Sequence, residues 1–141
     1  MAISWREQLS VGNNVIDSDH KHLIDILNRI EKSMLDKNRN ELTAELEELT
    51  RYSLLHFERE EKIAQAAGYT QVPNLNLSHK SLMTRLDQMR AKFDVAGADW
   101  SSEATEEFSQ FLRTWLIDHV IKEDLLMKPV LQRLSPAFDP R

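Results

Sequence analysis

The sequence predicts an all-α fold: an up-down-up-down antiparallel four-helix bundle preceded by an extended N-terminal arm. Two observations predict it. Breakers are scarce, with Gly 3 and Pro 4 in 141 residues, which favours long helices joined by short connections. Apolar residues also recur in alternating steps of four and three along four separate stretches, the pattern of a seam between packed helices. The length, 141 residues, fits one domain with a core of ordinary size.

Residues 1–17 read as the arm. Trp5, Leu9, Val11 and Ile16 anchor it, and Gly12-Asn13-Asn14 reads as a turn. The first helix is expected over about 18–37, with Ser18 as N-cap and the seam Ile16, His20, Leu23, Leu27, Ile30, Met34. After the polar stretch Asp36–Asn40 the second helix runs over about 40–67, with the seam Leu42, Leu46, Leu49, Ser53, His56, Glu60, Ile63, Ala67. Gly68 stands where a helix-ending glycine belongs. A loop containing Pro73 leads to a third helix over about 75–93, with the seam Leu75, His79, Leu82, Leu86, Met89, Phe93. A connection with Gly97 follows. The fourth helix, about 101–128, opens at a serine with Glu103, Glu106 and Glu107 in its first turns, favourable to the helix dipole. Its seam is Ala104, Phe108, Leu112, Trp115, His119. Pro129 marks an end or a kink, and a short apolar tail (Val130, Leu131, Leu134) closes the chain.

Composition removes several function classes. Without cysteine there is no disulfide framework, thiolate metal site or cysteine nucleophile. A net charge of −5 with no basic stripe speaks against nucleic acid as partner. No apolar run is long enough to span a membrane, and the N-terminus lacks a signal-peptide apolar region. The expected location is cytoplasmic.

The seams carry what an apolar bundle core avoids. Each helix places one histidine there: His20, His56, His79 and His119. Two carboxylates join them, Glu60 one turn after His56 and Asp124 five residues after His119. A single seam histidine is most simply a hydrogen-bonded core residue. Four of them with two carboxylates have no cheap way to satisfy one another, because each buried ionisable group costs several kcal/mol unless paired. Facing helices of a bundle are where metal sites of this composition are built. Imidazole and carboxylate donors suit iron, manganese or zinc, and two carboxylates able to bridge point to a dinuclear centre. His22 points about 200° away from His20 and reads as a solvated or rim residue. In an ideal helix His119 and Asp124 diverge by about 140°, so their convergence needs a metal between two faces or a π-bulge. Neither Glu-x-x-His nor HExxH occurs, which argues against a ferritin-like oxidase and a zinc protease.

Taken together, Trp5, Gly12, Ile16-Asp17 with His20-Lys21, His56-Phe57-x-x-Glu60-Glu61, Gly68-Tyr69, His79-Lys80 and Trp115-Leu116-x-x-His119-Val120 with Asp124 resemble the hemerythrins, in particular the bacteriohemerythrins. The likeness runs from Trp5 to about Leu131. It implies two non-haem iron ions with an oxo or hydroxo bridge and O2 as ligand. By the same resemblance His20 and His56 hold one iron, His79 and His119 the other, and Glu60 and Asp124 bridge them. Oxygen then binds at the iron of His20 and His56. Leu23, Phe57, Trp115, Leu116 and Val120 would wall a dry oxygen pocket, although each is also an ordinary core residue. Met127 stands where some members carry tyrosine, so no phenol is expected beside the centre.

One departure is plain. The family's third helix carries a second histidine four residues after the first, and here that position is Met83. Its thioether is a soft, weak ligand for iron; otherwise water or another exogenous ligand fills the place. The reading is therefore an oxygen-binding or oxygen- or redox-sensing module with one altered ligand, taking dioxygen or another small diatomic or anionic ligand. The alternatives are a di-iron enzyme acting on peroxide or nitric oxide, and an iron store or carrier. The chain ends soon after the fourth helix, so a sensor role requires an output domain or signalling partner to read it.

Overall fold

A computed structural model describes residues 2–96 and 101–140. Helices α1 (Asn14–Leu35), α2 (Arg39–Ala67) and α3 (Val72–Ala96) are regular. Helix α4 starts as Ser102–Arg113 and continues as one rod through a π segment, Thr114–Ile121, to Asp124. Consecutive helices pack on each other and α4 returns against α1, closing a four-helix bundle. No strand occurs among the described residues.

The seams face inward as their spacing predicts. On α1, Ile16, His20, Leu23, Leu27, Ile30 and Met34 are all buried. On α2, every seam residue from Leu42 to Ile63 is buried. The boundaries differ from expectation where a turn competes with a helix start. Helix α1 begins at Asn14, not near Ser18, because Asn13 is the stronger cap. Its side-chain oxygen accepts from the Val15 and Ile16 N–H groups at 3.0 and 3.1 Å, after Gly12 has turned the chain at φ 82°. The arm therefore ends at Asn13 and contains a 3-10 turn, Glu7–Leu9. It is tied to α1 by the Asn28 side-chain amide, which accepts from the Ile3 N–H and donates to the Ile3 carbonyl, both at 2.9 Å.

Helix α3 likewise starts before the expected position 75. Pro73 lies inside its first turn, where a missing N–H breaks no helical hydrogen bond. The preceding helix ends at Gly68, φ 86°, with the Gly68 and Tyr69 N–H groups donating back to Gln65 and Ala64. The expected connection at Gly97 lies outside the described residues. Pro129 does not end the fourth rod. A 3-10 turn, Leu125–Met127, admits it into the first turn of a last short helix, Lys128–Leu131. The tail then returns to the start of α1. The Asn14 N–H donates to the Pro136 carbonyl at 2.7 Å and the Asn13 side chain to the Phe138 carbonyl at 2.9 Å.

The core falls into two apolar clusters. The larger joins Leu23–Met34 of α1 to Leu42, Leu49 and Phe57 of α2, Leu82 and Leu86 of α3, and Phe108, Trp115 and Ile121 of the fourth rod. The smaller joins Val11, Ile16, Ile63, Leu75, Met127 and Leu131. Each helix crosses from one cluster to the other at an ionisable residue. His20 lies between Ile16 and Leu23, Glu60 between Phe57 and Ile63, His79 between Leu75 and Leu82, and Asp124 between Ile121 and Met127. The polar groups thus form one layer at a common height.

Asn13→Ala removes the α1 cap and its link to the tail. It should lower the unfolding free energy by about 1–2 kcal/mol, read as a lower urea midpoint with an unchanged slope. Asn13→Asp, which keeps the capping acceptor but loses the donor to the Phe138 carbonyl, should recover only part of the loss.

Candidate metal centre

His20, His56, Glu60 and Asp124 are at most 1% exposed. Each offers one ligand atom to a common point, and these atoms all lie within 4.8 Å of one another. His20 Nε2 is 2.7 Å from Asp124 Oδ2 and 3.9 Å from Glu60 Oε2. His56 Nε2 is 3.2 Å from Glu60 Oε2 and 3.6 Å from Asp124 Oδ2. Donors placed about 2.0–2.2 Å from a single tetrahedral ion stand about 3.3–3.6 Å apart, so the set has the size of a metal cage. The donors are only partly spent on each other, through the hydrogen bond of His20 Nε2 with Asp124 Oδ2 at 2.7 Å. His56 Nε2 and Glu60 Oε2 are buried without a hydrogen-bond partner, and so is the second Asp124 oxygen, Oδ1.

The electrostatics of the layer also favour a cation. Burial pushes the Glu60 carboxyl up, and Asp124 beside it pushes further. For Asp124 burial works upward too, but hydrogen bonding with Glu60, His20 and His56 outweighs it and holds this carboxyl well below the usual range. Burial disfavours a charged imidazole at His56 and His79, yet the surrounding carboxylates overcome it and both are raised. A layer that draws protons onto buried imidazoles is a layer short of positive charge.

Two carboxylates outside the predicted set orient the imidazoles. Asp19 Oδ2 accepts from His56 Nδ1 at 3.0 Å, and Glu61 Oε2 from His79 Nδ1 at 2.8 Å. With Nδ1 occupied, the Nε2 lone pair of each ring points inward, the usual arrangement behind a metal-bound histidine. Asp19 also accepts two hydrogen bonds from Arg59, at 2.6 and 3.1 Å, and one from Tyr52 at 2.7 Å. Burial pushes the Asp19 carboxyl up, but these donors hold it far below its ordinary value. Burial and donation to Asp19 push the Tyr52 phenol up to about 12. The signal for this network was present in the sequence. Tyr52, His56 and Arg59 follow the four-three spacing on α2, so one flank of that helix faces Asp19.

The remaining expected ligands are arranged differently. His79 Nε2 lies 3.0 Å from the other Glu60 oxygen, Oε1, so Glu60 presents one oxygen to each side. His119 is half-buried, and its Nε2 accepts from Arg85 Nη1 at 3.4 Å. Arg85 was not singled out in the sequence, because nothing in its spacing sets it apart from a surface residue. The π segment contains His119 and ends three residues before Asp124. Its wider turn narrows the divergence between these two residues. Met83 is half-buried and lines a groove of about 490 Å³ with Phe57, Glu61 and His79. His22 is a rim residue: its ring lies 4.2 Å from that of Tyr52, 39% exposed.

Leu23, Phe57, Trp115, Leu116 and Val120 are all buried in the larger cluster. Phe57 stacks on His79 at 4.0 Å and 12°. The Trp115 indole donates to the Leu82 carbonyl at 2.9 Å, linking the fourth rod to α3. Burial and the charges of Asp124 and Glu60 push the Tyr69 phenol up.

The four-helix bundle thus carries an inward layer of imidazoles and carboxylates that could hold a metal ion. This chain belongs to the hemerythrin family: the model of the hemerythrin HHE cation binding domain matches residues 11–131. It is 29% identical over 133 residues to a bacteriohemerythrin of Methylococcus capsulatus, covering 93% of this chain and 98% of that protein. To a bacteriohemerythrin of Pseudomonas aeruginosa it is 29% identical over 120 residues, covering 85% and 75%. The structure of a wild-type hemerythrin matches with a TM-score of 0.77 and 26% identity, over 94% of this chain and 99% of that one. No described helix is long and apolar enough to cross a membrane.

The depressed Asp19 carboxyl contributes stability that is fully present above its unfolded pKa, about 4. That stability is lost as pH falls through the folded value. Asp19→Asn, measured in excess chelator, should flatten the fall of the urea midpoint between neutral pH and about pH 3. An acid limb as steep as the parent's would show that Asp19 is not a source of the acid sensitivity.

Proposed function

We propose that this chain is a non-haem iron module that binds dioxygen or a similar small ligand, as a carrier or as a sensor of oxygen or redox state. The observation that carries it is the convergence of four buried donor residues, with His56 Nε2 and Glu60 Oε2 left without a hydrogen-bond partner, in a chain of the hemerythrin family. His20 and His56 hold the first iron. His79 and His119 belong to a second position, with Glu60 and Asp124 between the two. Iron at this place supplies a redox-active centre able to take up a small exogenous ligand.

The protein's part is positional. Asp19 and Glu61 keep the Nδ1 protons of His56 and His79, so that each Nε2 faces inward. Leu23, Leu116 and Val120 keep water from the layer, and Phe57 fixes the plane of the His79 ring. Met83 supplies no nitrogen where relatives of this family place a second histidine on the third helix. It faces a groove that offers small molecules a short path to His79. A sensor role adds a partner that reads the state of the bundle.

The test is the visible spectrum of reduced, iron-loaded protein on exposure to air. A charge-transfer band that appears with oxygen and disappears on its removal is the expected result. Irreversible bleaching, or steady turnover of peroxide or nitric oxide, would transfer the assignment to an enzyme. Absence of iron after loading and desalting would end the metal assignment.

Met83→His should slow autoxidation roughly 10–100-fold, the usual scale for residues that tune a metal site. The check is the rate of spectral decay of the air-exposed protein. An unchanged rate would mean that Met83 does not tune the centre.

A further inference from the structure

We propose that the Arg85 guanidinium takes the place of a second metal ion. The centre holds one ion tightly at His20, His56, Glu60 and Asp124, and a second binds only weakly, when His119 is freed from Arg85. This rests on reading the buried layer as an iron site.

The two halves of the layer differ in donor chemistry. In the first half His56 Nε2 and Glu60 Oε2 have no hydrogen-bond partner, and the 2.7 Å hydrogen bond of His20 Nε2 with Asp124 Oδ2 joins two members of the cage to each other rather than to an outside cation. In the second half the nitrogen that would serve a metal is engaged. A guanidinium only donates hydrogen bonds, so the 3.4 Å contact from Arg85 Nη1 to His119 Nε2 uses the Nε2 lone pair. That lone pair is the one a metal needs. Arginine and a second ion therefore compete for the same orbital.

Charge acts in the same direction. Arginine keeps its proton at any physiological pH, so a divalent ion arriving beside His119 meets a resident cation. The site is partly desolvated, where repulsion is screened far less than in water. Arg85 is also anchored. It is half-buried, and its Nε is buried without a hydrogen-bond partner, so that edge of the guanidinium is set by packing. What remains for a second ion is sparse. Met83 contributes no nitrogen and lines the outer groove. His79 Nε2 already meets Glu60 Oε1 at 3.0 Å.

The experiment is an anaerobic titration of chelator-stripped full-length protein with ferrous iron, followed by gel filtration and metal analysis. It compares the parent with Arg85→Gln and Arg85→Lys. The parent should retain one ion per chain. Arg85→Gln should bind a second ion roughly 10–100-fold more tightly than the parent, with the first unchanged, and Arg85→Lys should resemble the parent. After oxidation the parent should give the paramagnetic resonance of an isolated high-spin ferric ion. That signal should diminish in Arg85→Gln, as coupled pairs form. Arg85→Met, which keeps the apolar stem, repeats the comparison if glutamine disturbs packing. Two equally tight ions in the parent, or an Arg85→Gln stoichiometry equal to the parent's, would overturn this inference and leave the iron reading standing. A parent that retains no ion would overturn both.

Discussion

Everything in this bundle is arranged around a buried layer of ionisable side chains between two apolar clusters. Such a layer is costly. Glu60 and Asp124 lie side by side with almost no solvent contact, and Glu60 Oε2 and Asp124 Oδ1 have no hydrogen-bond partner. A hydrophobic replacement of the same volume would make a more comfortable core. The layer is tolerated because the apolar clusters above and below it are extensive, and because the rim residues Asp19 and Glu61 satisfy the outer faces of His56 and His79. Stability is given up where a cation is to be held, which is the usual relation between a binding site and the fold that carries it.

The same constraint explains the irregularities of the helices. A regular α-helix would turn His119 and Asp124 about 140° apart, and the fourth rod departs from α geometry in that stretch, through eight residues of π-helix. It then tightens to a 3-10 turn before Pro129. The arm and the tail reinforce the smaller cluster, where Val11, Leu131 and Phe138 meet Ile16. The smaller cluster is the weaker half of the core, and these chain ends complete it.

The layer is not symmetric. One half closes a cage of four donors. In the other, His79 Nε2 meets Glu60, His119 Nε2 accepts from Arg85, and Met83 lines the adjoining groove. Family membership and fold are common to this chain and to the bacteriohemerythrins it is similar to. The asymmetry is concentrated around His79 and His119.

Much of this was legible in the sequence, because periodicity reports which face of a helix is buried. The four seams, the histidine on each, and Glu60 among them follow from spacing alone; Asp124, five residues after His119, lies off its seam. Helix ends were less legible. Asn13 outcompetes Ser18 as a cap because Gly12 turns the chain just before it, and Pro73 is harmless because it falls in a first turn; both depend on local geometry that spacing does not encode. Contacts between flanks of different helices were not legible at all. That Asp19 meets His56, Tyr52 and Arg59, and that Arg85 reaches His119, depends on how α1 lies on α2 and how α3 lies on the fourth rod. The sequence by itself determined which helix faces are buried and that ionisable side chains stand among the apolar ones. Only the tertiary structure decided which donors converge, because convergence is set by helix rotation and packing across the bundle rather than by position along any one helix.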